Sequence, residues 1–344
     1  MKKAEYFKHV LEFETPGGTS RGVLKTKETY ILKISEAGRT GVGECGIFRG
    51  LSYDDVSGYE EKLKWLCEHI NESEEFLKAE LLAFPSIWFG YEQAIRNLKY
   101  RGNIYFPSGF TEGSASIRIN GLIWMGNAEH MRKQISDKLE KGFKCLKLKI
   151  GVDWPTEKVI LKQLRSTFPE NELEIRVDAN GAFSFEEAKT VLAELAELEI
   201  HSIEQPIKAG NVSEMALLCR STPTPIALDE ELIGVLNEED KEALLKAVIP
   251  QYIILKPSLI GGFSGSDEWI ELAEKLGIGY WITSALESNI GLNAIAQYTF
   301  TKNNPLPQGL GTGGLFTNNF ESALILRGEL LTFNPDQVNL LQEF

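Results

Sequence analysis

The chain has 344 residues and a formal net charge of −13, with 36 Lys and Arg against 49 Asp and Glu. Hydrophobic residues at 43% and charged residues at 25% describe an ordinary soluble globular protein, long enough for one barrel and an accessory domain. The acidic balance argues against a nucleic-acid surface, which needs clustered Lys and Arg, and gives no support for binding an anionic membrane.

Cys45, Cys67, Cys145 and Cys219 are widely spaced and form no CxxC pair, so reduced thiols rather than a disulfide or zinc framework are expected. Met1-Lys2-Lys3-Ala4-Glu5 leads into an alternating segment without an apolar h-region. No run approaches the roughly 20 apolar residues of a membrane span, and a cytoplasmic location is the default expectation.

In chain order, Tyr6 to Phe13, Thr29 to Ser35 and Arg39 to Cys45 carry strand patterns, with Glu36-Ala37-Gly38 as the turn between the last two. Thr15 to Gly22 reads as a turn-rich loop, a lid or a plain solvent loop. Ser52-Tyr53-Asp54-Asp55 offers N-caps for a helix through His69, and Pro85 suits N1 of a helix ending near Tyr100. Strands followed by helices predict an α+β capping domain over residues 1–113.

From about Ser114, strands and helices alternate. Strands are expected near Ala115 to Asn120, Cys145 to Ile150, Leu173 to Asp178, Ser202 to Glu204, Ile226 to Asp229, Tyr252 to Leu255, Gly279 to Thr283 and Pro307 to Gly309. Helices are expected near Ala128 to Lys141, Pro155 to Phe168, Ser184 to Leu198, Ser213 to Cys219, Glu238 to Ala247, Ser264 to Leu276 and Ile290 to Phe300. Eight strands with short connections predict a closed parallel TIM-type barrel over residues 114–318, with its site at the carboxyl ends of the strands. Residues 319–344 leave the repeat and are expected to return to the cap.

Two glycine patterns carry no nucleotide reading. Gly41-Val42-Gly43-Glu44-Cys45-Gly46 matches GxGxxG, but it lies in a strand from which no helix opens. Gly261-Gly262-Phe263-Ser264-Gly265 precedes a helix yet lacks the Lys-Ser/Thr of a P-loop.

The strand ends carry the chemistry. Lys149, Asp178, Glu204, Asp229 and Lys256 each close an apolar run and follow one another at roughly 25 to 30 residues, one strand-plus-helix unit. Singly, Asp178 reads better as a turn residue, Glu204 as loop surface and Asp229 as a helix cap. In register on consecutive strands they would converge and repel, a conflict that a hard divalent cation removes. Lys147 and Lys149 point to one side of their strand. Lys256 would face Lys149 across the mouth with the metal site between them, and a lysine among other cations and a metal has a depressed pKa suited to a general base.

This set resembles the enolase superfamily, in particular its muconate-lactonizing subgroup: Lys-x-Lys at the second strand, Asp178, Glu204 and Asp229 at the next three, and Lys256 at the sixth. The cap, the barrel and the C-terminal return match too, so the resemblance covers essentially the whole chain, and the stretches Arg176 to Asn180, Ser284 to Asn289 and Gln308 to Thr312 carry it further. The resemblance implies a (β/α)7β barrel with an N-terminal cap, and Mg²⁺ (or Mn²⁺) on Asp178, Glu204 and Asp229. It further implies a Lys base working through an enediolate. The implied reaction is the syn dehydration of a cyclohexadiene carboxylate bearing a succinyl arm, with Lys149 and Lys256 catalytic. Lys147, Asn180, Ser284 and Gly311 would then contact substrate, with caps at Ser288 or Asn289 competing for the Ser284 region.

Dipeptide epimerases of the subgroup usually hold a substrate amine with Asp-x-Asp after the last strand; here that place reads Gly309-Leu310-Gly311-Thr312. An N-acylamino acid racemase remains the rival, and a non-catalytic ligand-binding barrel a third reading. The expected partner is a small-molecule substrate, and the sequence sets no oligomeric state.

Overall fold

The computed structural model describes residues 1–19 and 22–337. Strands β1 (Lys3–Thr19), β2 (Gly22–Glu36) and β3 (Arg39–Cys45) form an antiparallel sheet in the order β1-β2-β3. The expected loop at Thr15 to Gly22 is instead mostly a continuation of the hairpin. Pairing resumes at Gly17 with Leu24 after a register shift beyond Glu12, while Ser20 and Arg21 lie outside the described residues. The irregularity absorbs the Thr15-Pro16 step without ending the ribbon.

Three helices follow: α1 (Tyr59–Glu68), α2 (Glu74–Glu80) and α3 (Pro85–Tyr100). The first starts later than the Ser52 to Asp55 caps suggested, because those side chains are used elsewhere. Ser52 Oγ accepts from Phe48 N, and Asp54 accepts from Ser86 N and Oγ in the first turn of α3. The short α2 carries too little periodicity to be read from sequence; it is capped by Ser73. Pro85 does open α3.

The glycines of the set-aside fingerprint have a packing reason. A Cβ on Gly41 would stand 2.5 Å from Leu98 N, and one on Gly43 would stand 2.8 Å from Ala94 N and overlap the Gly90 carbonyl. They let β3 lie directly on α3. Gly43→Ala is expected to cost about 3 kcal/mol, read as a lower denaturant midpoint at unchanged m-value; a midpoint within experimental error of wild type would refute the packing account.

Helix α3 is buried on nearly every side and joins the two cores. Ile87 and Tyr91 belong to the cap core with Tyr30, Leu32 and Leu63, while Phe89 belongs to the barrel core. Its Glu92 accepts from Phe263 N and Ser264 N at the start of a barrel helix.

Strand β4 (Ser116–Arg118) does not open the barrel as expected. It pairs antiparallel with the C-terminal hairpin, and β5 (Gly121–Ile123) is the first barrel strand. The barrel continues through α4 (Ala128–Glu140), β6 (Cys145–Lys149), α5 (Trp154–Thr167), β7 (Glu174–Asp178), α6 (Phe185–Ala196), β8 (Ser202–Glu204) and α7 (Val212–Ser221). Then come β9 (Ile226–Leu228), α8 (Glu238–Val248), β10 (Tyr252–Leu255), α9 (Gly262–Leu276), β11 (Gly279–Ile282) and α10 (Asn289–Thr301).

Strands β5 to β11 pair in parallel in sequence order. The ring closes through Gln308 and Gly309, which bridge in parallel to Ile119 on one side and Thr283 on the other. This is a (β/α)7β plan with an antiparallel cap, as the resemblance implied. Below the mouth the interior is filled by side chains, among them the buried Arg176, whose guanidinium lies 4.2 Å over the Trp281 ring.

The C-terminal stretch divides its contacts. Phe316 packs edge-on against Phe13 of β1, and Asn318 bonds to Val10 and Glu12. Beyond it, β12 (Leu324–Arg327) and β13 (Leu330–Phe333) join β4 at the barrel; residues 338–344 are outside the described set. No helix among the described residues is long and apolar enough to cross a membrane.

Candidate active site

Consecutive parallel strands bring the quoted residues side by side. Lys149 is level with Asp178, and Asp178 with Glu204; Glu204 pairs with Ala227, two residues before Asp229. All three carboxylates are buried, Lys147 is buried and Lys149 nearly so. The side chains form an alternating string: Lys149 Nζ is 2.9 Å from Asp178, Lys147 Nζ is 3.3 Å from Asp178 and hydrogen-bonded to Glu204, and Lys256 Nζ is 3.7 Å from Glu204 and hydrogen-bonded to Asp229. Lys149 opens the string and Lys256 is its last ammonium, one link before Asp229, and both lysines line one pocket.

Electrostatics follow from this burial. Burial would raise Asp178, but Lys149, Lys147 and Lys256 outweigh it and hold the carboxyl far below the usual range. Burial would lower Lys147 and Lys256, yet Glu204 with Asp178 and Asp229 with Glu204, respectively, hold both above the ordinary lysine value. Each of these two ammonium groups lies between carboxylates, which is why both are held up. At Asp229 burial pushes the carboxyl up; Lys256 opposes this, and Glu230 and Glu204 reinforce it.

Asn180 sits at φ +45, a left-handed position that asparagine tolerates. There its Oδ1 accepts from Lys149 at 2.7 Å while its Nδ2 donates to Glu230 at 3.0 Å. Glu230 was passed over in the sequence although it adjoins Asp229. Gln205, also missed, fixes the end of β9: its Oε1 accepts from Asp229 N and Glu231 N.

The remaining walls come from both parts of the chain. Leu24, Phe48 and Leu51 of the cap, Leu122 of β5 and Trp124 just after it supply apolar surface, and Gly17 lies against the Trp124 ring. Opposite them are Ser284 to Leu286 and Gly309, Gly311 and Thr312. Ser284 reaches the pocket with its hydroxyl committed: it donates to Glu287 and accepts from Leu286 N and Thr312 Oγ1. The amides opening α10 are also taken, Ser288 N and Gly291 N by Glu44, Asn289 N by Asn319 and Ile290 N by the Ser288 cap. Asn120 Oδ1 and Thr283 Oγ1, not singled out in the sequence, are buried in this pocket without a partner among the described residues.

As they stand, no three His, Cys, Asp or Glu side chains among the described residues are grouped to hold a metal ion, because ammonium groups lie between the carboxylates. The donor chemistry nevertheless fits a hard divalent cation. Three carboxylates end neighbouring strands, Glu204 Oε1 is buried without a hydrogen-bond partner, and with Glu230 four carboxylates face three ammonium groups.

A capped parallel barrel with acid and lysine residues on successive strand ends defines a class, and the chain belongs to it: residues 130–324 match the enolase C-terminal domain-like family. More particularly, the chain is 45% identical to an o-succinylbenzoate synthase from Desulfotalea psychrophila, over 95% of this chain and 97% of that one. The crystal structure of MenC from Desulfotalea psychrophila LSv54 superposes with a TM-score of 0.85 at 41% identity, covering 96% of this chain and 99% of that one. A dipeptide epimerase from Enterococcus faecalis, solved with Mg and the dipeptide L-Leu-L-Tyr, matches in fold with a TM-score of 0.82 at 18% identity over 97% of each chain.

Proposed function

We propose that this chain catalyses the o-succinylbenzoate synthase reaction, the syn dehydration of 2-succinyl-6-hydroxy-2,4-cyclohexadiene-1-carboxylate to 2-succinylbenzoate in menaquinone biosynthesis, in the cytoplasm. It is a lyase. The observation that carries the reading is the ionic string from Lys149 to Asp229 beside a pocket with apolar walls from Leu24, Phe48, Leu51, Leu122 and Trp124, in a chain 45% identical to a synthase of that name.

A divalent metal is implied by family neighbours solved with Mg; we assign Mg²⁺, with Mn²⁺ as a substitute, to Asp178, Glu204 and Asp229. Bound there, the ion supplies Lewis-acid stabilisation for negative charge developing on the substrate carboxylate. Lys149 takes the proton α to that carboxylate, the electron pair moves into the ring, and the C–O bond on the same face breaks. Lys149 returns the proton to the departing hydroxyl, which leaves as water. Asn180 aims Lys149, and Lys147 and Lys256 remain cationic beside the anionic substrate. Gly311 and the pocket floor at Asn120 and Thr283 suit the succinyl arm, since Ser284 and the α10 amides are already bonded. We divide the chain into a cap of residues 1–113 and a catalytic barrel of 114–318, with the β12–β13 hairpin held by β4 on the barrel side rather than by the cap.

Purified protein with Mg²⁺ and the cyclohexadiene carboxylate is expected to consume the diene absorbance, and a chelator to stop it. No conversion, with α-proton exchange of N-succinylamino acids in heavy water instead, would replace the reading with a racemase on the same scaffold.

A further inference from the structure

Behind the pocket wall at Ser284 to Leu286 lies a second buried set of charges that the reaction does not use. Glu44, near the end of β3 in the cap, is fully buried and reaches into the barrel. Its Oε1 accepts from Thr29 Oγ1 at 2.8 Å and Ser288 N at 2.9 Å; its Oε2 accepts from Ser288 Oγ and from Gly291 N at 2.9 Å. Four donors thus converge on two oxygens, three of them from the start of α10.

The neighbouring Glu287 grips the other side of the same loop. Its Oε1 accepts from Ser258 Oγ, and its Oε2 from Ser284 Oγ and Ala285 N, both at 2.7 Å. Lys27 on β2 is buried with its ammonium unbonded and feels the charge of both carboxylates, so one cation offsets two anions. Between the two grips Leu286 holds φ +64, a costly conformation for a leucine that persists only where both flanks are fixed. Its side chain packs with Leu11, Phe13 and Phe316 and forms part of the pocket wall.

We infer that Glu44 is a positioning residue for the proposed reaction: through Ser288 and Gly291 the cap sets the pocket wall Ser284–Leu286. The inference rests on reading that pocket as the substrate site. The wall follows the seventh strand, three positions round the ring from Lys149, so it shapes binding without touching the proton transfer.

Glutamine has the size of glutamate but brings an NH₂ against two of the four donors, so Glu44→Gln must lose bonds that no repacking restores. The expected result is a KM raised about tenfold with kcat within about threefold, the signature of lost uniform binding. Glu44→Asp, which keeps the charge and the acceptors, should recover part of the loss. Hydrogen exchange of the 285–291 amides should quicken in Glu44→Gln while exchange in the β6 and β7 strands stays as in wild type.

Thr29→Val, which removes one donor and leaves the carboxylate in place, should shift KM in the same direction by about twofold and serves if Glu44→Gln does not fold. A lowered kcat at unchanged KM, or unchanged exchange at 285–291, would overturn the inference. Wild-type protein that neither turns over the cyclohexadiene carboxylate nor binds 2-succinylbenzoate would instead remove the functional reading, with the exchange data still deciding whether Glu44 holds the loop.

Discussion

Lys149→Ala is expected to lower kcat by about four orders of magnitude, the upper range for loss of a positioned general base, with the fold and metal binding retained. Lys149 is the lysine of the string that bonds to both Asp178 and Asn180, so its amine is aimed from two sides and opens onto the pocket. Lys149→Arg separates the two duties of the side chain. Arginine keeps the positive charge beside Asp178 but cannot be deprotonated near neutral pH, so it should be as inactive as alanine. If the arginine variant kept a tenth or more of wild-type kcat, Lys149 would be acting as a cation rather than as the base. The measurement is loss of diene absorbance at saturating substrate and Mg²⁺, with far-UV circular dichroism to check the fold.

Legibility in the sequence followed the physics of each part. The strand-end residues could be found because a parallel barrel repeats one unit at nearly constant length, so chemistry at the carboxyl ends recurs at a readable spacing. Asp178, Glu204 and Lys149 stand level on neighbouring strands as that spacing required. Less legible were contacts that only folding supplies. Asp54 reads as a local cap but bonds to Ser86, 32 residues on. Ser116–Arg118 has the pattern of a first barrel strand, yet its partner is the hairpin around Leu330, more than 200 residues later. Ser284 reads as a substrate donor, and only the positions of Glu287 and Thr312 reveal that its hydroxyl is taken. The setting of Lys147 and Lys256 is equally hidden along the chain, since only folding interleaves their ammonium groups with carboxylates.

Asp229→Asn is expected to weaken Mg²⁺ binding by about 100-fold or more, because even removal of groups that only support a metal ligand costs 10- to 100-fold. The carboxylates that would bind the ion are the ones now holding ammonium groups, so ion and lysines compete for the same oxygens. Asp229 is where that competition is most one-sided: it is buried, it pairs with Lys256, and Glu204 and Glu230 add negative charge beside it. The amide keeps the shape and removes the charge. Lys256 then retains Glu204 at 3.7 Å as its ion-pair partner, and the string loses one anion where the dication gains most. Calorimetric titration of Mg²⁺ onto the variant, together with the Mg²⁺ concentration for half-maximal turnover, reads the effect. Turnover restored by high Mg²⁺ would identify Asp229 as a ligand whose loss is one of affinity, whereas a titration unchanged from wild type would take it out of the ligand set and leave it as the partner of Lys256 alone.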